Sequence, residues 1–309
     1  MYGAVMLAVL SGVGFGLIGI TFRMGQSRNV IPLHISMCMG IAGCVFFGIQ
    51  VNWQSFFSLP LLAVLLPVIS AFGNLASMHF TKVSLSRGPL SPLWCAMNLT
   101  FLIVVIYSAF AFSETILPFQ FAALVAGILC VIFASNLGNQ PDTEKKGPKP
   151  ERSGKDKFIY AGSLLIVLLG NSTAFVIIKD LGTRLIPGSA ELTYLVEYRS
   201  SIFFLMYSSM AITCLVLVLI QKAKPNKIGD LIRLGTLAAG GSIVGMFLLG
   251  LAAALPAALI FTINGMIAIL IGVIASVVAF GEKRTPAWYG TVGFGILAVI
   301  LANLDKLLT

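Results

Sequence analysis

The chain has 309 residues, 58% of them hydrophobic and only 10% charged, with a mean hydropathy of +0.99. Soluble domains carry about 25% charged residues, which excludes a water-soluble globular protein; a transmembrane β-barrel is excluded too, since it would alternate polarity over segments of about 10 residues. The net charge of +9 is scattered over the connections between apolar segments, where it marks membrane topology and not a nucleic-acid surface.

Taken in chain order, the apolar segments predict ten membrane-spanning helices: 2–22, 33–51, 60–80, 89–112, 118–137, 158–178, 192–220, 228–251, 256–280 and 286–304. Each is long enough for a hydrocarbon layer of about 30 Å at 1.5 Å per residue. The first has no basic residue before it and a long apolar stretch, so it reads as a retained helix and not as a signal peptide. The fold class is all-α. The five cysteines lie inside these segments without a C-x-x-C pair, so neither a disulfide framework nor a metal centre is expected. No cofactor is expected either.

With ten alternating spans, 16 basic residues fall on one membrane face, while Lys179, Arg184 and Lys306 fall on the other. By the positive-inside rule the first face is cytoplasmic and both termini lie outside, as expected for a multi-pass protein of a plasma (bacterial inner) membrane. Residues 138–157 (GNQPDTEKKGPKPERSGKDK) are too polar to build a core and form a cytoplasmic linker. They separate a first unit, 1–137, from a second, 158–309.

The two units look like copies. Residues 127–134 (GILCVIFA) recur 168 positions later as 295–302 (GILAVILA), and the same offset brings Glu114 onto Glu282 and Pro118 onto Pro286. Five spans per copy is an odd number, so the second copy enters the membrane in the opposite sense, giving two inverted five-helix repeats. Ala111-Phe-Ser-Glu114 with Pro118 and Gly127, matched by Ala279-Phe-Gly-Glu282 with Pro286, Gly290 and Gly295, resembles the EamA-like members of the drug/metabolite transporter superfamily. Tyr198-Arg199 is similar to the arginine-bearing start of the second helix of such a repeat, although the first copy has Ser36 or Met37 at that place. The resemblance implies a secondary transporter of a small organic metabolite.

Polar residues inside such a bundle are costly in lipid and are expected to face a neighbouring helix or a water-filled path. In the third span Ser70, Asn74, Ser77, Thr81 and Ser84 share one face, as a cavity wall or as small polar glue between helices. His79 lies close to that face, Trp94 and Asn98 oppose it from the fourth span, and Asn264 holds nearly the repeat-related place. In the seventh span, with Tyr194 and Tyr198 among them, Glu197 and Arg199 lie one to two turns inside the outer mouth if the segment is inserted, and are ordinary interfacial charges if it lies at the surface. These nine residues (Asn74, His79, Trp94, Asn98, Tyr194, Glu197, Tyr198, Arg199 and Asn264) are the expected substrate-contacting set. Glu114 and Glu282 end helices on opposite faces and read as caps of the following helix, not as a catalytic pair.

The sequence therefore predicts a non-enzymatic exporter or exchanger, monomeric or homodimeric in the lipid bilayer, acting by alternating access. An amino acid or a related anionic or zwitterionic solute is the expected cargo, with the solute gradient, a coupled proton or a counter-solute as the energy source. A lipid flippase or scramblase, or an enzyme acting on a lipid-linked substrate, is the alternative.

Overall fold

The computed structural model describes residues 2–59, 61–87, 96–97, 99–137, 154–184, 192–225, 227–253, 255–279, 281 and 284–307. Residues 138–153 of the predicted linker, Trp94, Asn98 and Glu282 lie outside the described residues, as do the side chains of Tyr194, Glu197 and Tyr198, whereas the linker's last four residues, 154–157, belong to a helix and not to the linker. Among the described residues the chain forms eleven helices: α1 (Tyr2–Ser27), α2 (Pro32–Gly48), α3 (Trp53–Phe56), α4 (Leu61–Arg87), α5 (Thr100–Phe112), α6 (Pro118–Leu137), α7 (Gly154–Arg184), α8 (Leu192–Gln221), α9 (Ile228–Ala252), α10 (Ala257–Val278) and α11 (Pro286–Leu307). Seven of them are long and apolar enough to cross a membrane, whereas 32–48, 100–112 and 118–134 are shorter apolar stretches.

Local chemistry explains several of the boundaries. Proline opens α2, α6 and α11, where its missing N–H has no helical partner to lose. Ser113, at φ 53°, turns the chain out of α5 in the left-handed region. The second predicted span, 33–51, proves shorter: α2 stops at Gly48, and the Asn52 side chain accepts from the Gln54 N–H at 3.1 Å to start the single turn of α3. That turn was not foreseen, because one helical turn has no periodicity to read.

The middle of the bundle is α10. Ile260, Ile263 and Met266 have no exposed surface, and α10 packs against α1, α5, α6, α9 and α11. Around it α1 packs on α9, α4 on α7, α2 on both α8 and α9, α4 on α8, α5 on α7, and α6 on α11. The outer surface is apolar: Phe110 is 86% exposed, Val278 79% and Ile220 71%. A continuous greasy exterior over long apolar helices is what a bilayer solvates and water does not. The protein is an all-α, multi-pass membrane protein.

Candidate functional site

Two close helix crossings frame the site. Where α1 meets α9, a methyl group added at Gly14 would fall 2.6 Å from the Gly241 carbonyl oxygen, and one added at Gly241 would fall 2.6 Å from that of Gly14. Where α4 meets α7, Gly73 and Gly170 leave equally little room for a side chain. Small residues let backbones touch where lipid offers no hydrophobic drive to associate.

Between the crossings lies a cavity of about 210 Å³. Its walls carry five of the chain's 11 methionines, Met39, Met97, Met206, Met210 and Met246, together with Phe15, Phe175 and Tyr207. Phe15 and Phe175 meet edge to face with ring centroids 5.5 Å apart. The polar lining is neutral: Ser70, Asn74, Thr100, Asn171, Tyr207 and Ser242. Part of it is already engaged, since Ser77 Oγ donates to Asn171 Oδ1 at 2.7 Å and the Tyr207 and Ser242 hydroxyls share a bond at 2.7 Å. The Asn74 amide has no hydrogen-bond partner among the described residues.

The polar stripe of α4 divides its work along its length. Ser70 and Asn74 line the cavity. Ser77 and Ser84 bind α7 instead, Ser84 by a 2.6 Å bond to the Ser163 hydroxyl. Both readings of the stripe hold, each over part of it.

One turn beyond Phe175 on α7, the Lys179 side chain is fully buried. Its ammonium donates to the Ala253 oxygen at 3.2 Å and the Leu255 oxygen at 2.9 Å, and lies 2.5 Å from Glu114 Oε1. Glu114 Oε2 accepts the Ala257 N–H at 2.8 Å. The sequence expectation for both residues needs correcting. Lys179 is not a charge at an outer loop, and Glu114 caps the start of α10 instead of the helix that follows it. Burial raises the Glu114 carboxyl, but the bonds from Lys179 and the Ala257 N–H together with the Lys179 charge outweigh it, holding the group below the usual carboxylate range. The neighbouring Asp180 accepts a hydrogen bond from the Tyr107 hydroxyl.

The expected contact residues do not share one place. Asn74 lines the cavity. His79 is exposed on the bundle's outside with its ring against Phe80. Asn264 is 4% exposed and donates to Ser11 Oγ at 2.8 Å, and Ser11 donates to the Gly245 oxygen at 2.6 Å, so it ties α10 to α1 and α9. The Arg199 guanidinium lies 4.3 Å from the Phe247 ring centroid, and neither Arg199 nor Asn264 is among the cavity walls. Tyr194, Glu197 and Tyr198 belong by backbone to the first turns of α8, and Trp94 and Asn98 lie outside the described residues.

Sequence reasoning missed Tyr207, Ser242 and the methionines. A usable trace existed: Ser242 lies 168 residues after Asn74, and Tyr207 lies 168 after Met39, so the repeat offset carries one wall of the cavity onto another.

No protein-family model matches the chain, and no curated protein matches it. Solved structures are similar in 28 chains. One, described only as "Crystal structure of protein", superposes with a TM-score of 0.71 over 98% of this chain and 99% of its own, at 14% sequence identity. At that identity the likeness extends to the fold.

Proposed function

We propose that the protein is a secondary transporter that carries a small organic solute across a plasma membrane by alternating access between two inverted five-helix repeats, with the linker cytoplasmic and the termini outside. The observation that carries this reading is a symmetry in much of the packing, which the contacts of α10 with α6 and α11 do not share among the described residues. Exchanging each helix of the first unit with its counterpart in the second turns the α1–α9 contact into α7–α4, α1–α10 into α7–α5, and α2–α9 into α8–α4. It returns α2–α8 and α6–α11 to themselves.

One side of the crossings follows the offset: Gly14 rests against Gly241 and Gly245, and Gly170, 156 residues after Gly14, rests against Gly73 and Ser77, which lie 168 residues before that pair. The cavity lies between these crossings, so a rocking of one unit on the other would open it to either face in turn. The Glu114 and Lys179 pair ties α10 to α7 and to the turn after α5 on one side of the cavity, and contacts of this kind differ between two such states. The resemblance to EamA-like transporters agrees with this reading.

The test is solute counterflow in proteoliposomes loaded with a mixed metabolite library and read by mass spectrometry, with Asn74→Ala in parallel. Selective exchange that falls at least about fivefold in the variant is expected from the loss of one cavity hydrogen bond. A folded, inserted protein that exchanges no solute would contradict the proposal, and phospholipid redistribution under the same conditions would favour a scramblase.

A further inference from the structure

The cavity's chemistry narrows the class of solute. Among the described residues, no wall of the cavity carries a charged side chain. Residues 88–95 and Asn98, which adjoin Met97 in the sequence, are all of neutral types. Of the two cations nearby, Lys179 is held by Glu114 and two carbonyl oxygens, while the half-buried Arg199 lies over the face of Phe247 with its Nε unpartnered and is not among the cavity walls. Arg199 lies seven residues from Met206 along α8, about 10 Å at helical rise. A carboxylate or ammonium entering the cavity would give up its water and find no counter-charge on the described walls.

The apolar lining is of a particular kind. Methionine sulfur is polarizable, favours the edges of aromatic rings and adapts its side chain to irregular shapes. Five methionines with Phe15, Phe175 and Tyr207 make a soft aromatic-accepting slot. At about 210 Å³ it is smaller than the roughly 300–1,000 Å³ of sites for drug-sized ligands, which suits a single ring with a short substituent. Asn74 supplies the specific element: its carboxamide offers an N–H donor and a C=O acceptor side by side, with no hydrogen-bond partner among the described residues. The complementary group is another amide.

We infer that the solute is a neutral, flat aromatic amide or lactam, its ring held among the methionines and its donor–acceptor edge paired with Asn74. This rests on the transport reading above and replaces the amino-acid expectation drawn from the sequence.

Nicotinamide, nicotinate and phenylalanine share a ring of one size and differ in charge, so counterflow of the three at pH 7, corrected for protein-free vesicles, separates the possibilities. Exchange of nicotinamide at least about tenfold faster than of nicotinate or phenylalanine is expected, lost in Asn74→Ala and retained in Asn264→Ala. Faster exchange of nicotinate or phenylalanine would overturn the neutral class and leave the carrier intact. Exchange of none, together with no exchange from the mixed library, would overturn both; library exchange without nicotinamide would overturn this inference alone. Should Asn74→Ala fail to fold, Met210→Ala serves: widening the slot is expected to shift preference toward a two-ring amide, and an unchanged preference counts against the assignment.

Discussion

Lys179 and Glu114 show how unequal the two members of a buried ion pair are. The lysine has no exposed surface and the glutamate side chain is 21% exposed. Removing Glu114 leaves a buried ammonium with two carbonyl oxygens and the Phe112 ring but no counter-charge, whereas removing Lys179 leaves a partly exposed carboxylate that still has the Ala257 N–H. Breaking a buried pair costs about 3–5 kcal/mol. Glu114→Ala is therefore expected to cost about that much, Lys179→Met less, and the double variant no more than Lys179→Met alone, all read from thermal unfolding in detergent. Because the folded-state carboxyl is held below its unfolded value, near 4.3, its contribution is complete above that pH and is lost as pH falls through the lower folded value. The wild type should lose thermal stability there more steeply than Glu114→Gln. Equal slopes would contradict the assigned pairing.

At the scale of the helix, α9 carries two adjacent glycines with opposite surroundings. An added methyl at Gly241 would meet the Gly14 oxygen at 2.6 Å, while one at Gly240 would meet nothing within 4 Å. Overpacking costs about 1–3 kcal/mol, and alanine in an open helical position gains up to about 1 kcal/mol over glycine. Gly241→Ala should accordingly lower the unfolding temperature and Gly240→Ala should leave it unchanged or raise it. Gly241 and Gly245 stand at the G-x-x-x-G spacing that suits such a crossing. The stripe of α4 was also readable, as a face but not as two jobs, because spacing says which residues are neighbours on a helix and not what lies opposite them.

Over the whole molecule, what was legible was whatever depends on the chain alone: the apolar lengths, the proline boundaries and the 168-residue offset. The burial of Lys179 was not, because its acceptors come from Glu114 and from the turn at 253–255, 65 and more residues away, and an isolated lysine beside an apolar segment looks the same whether it faces water or a partner. Asn74 and Asn264 illustrate the same limit. Both are mid-helix asparagines, yet one faces a cavity and the other bonds to Ser11, a difference made by helix rotation.

The central claim is that the two proposed units take turns opening one cavity, and Asn74 and Ser242, 168 residues apart, both line it. The most direct measurement is the labelling of Asn74→Cys and Ser242→Cys, in a background with the five native cysteines replaced, by a membrane-impermeant thiol reagent applied to right-side-out and to inverted vesicles. Alternating access predicts that each position reacts from both sides, and that an exchanged solute slows both reactions. Labelling of either position from one side only, whatever solute is present, would contradict it.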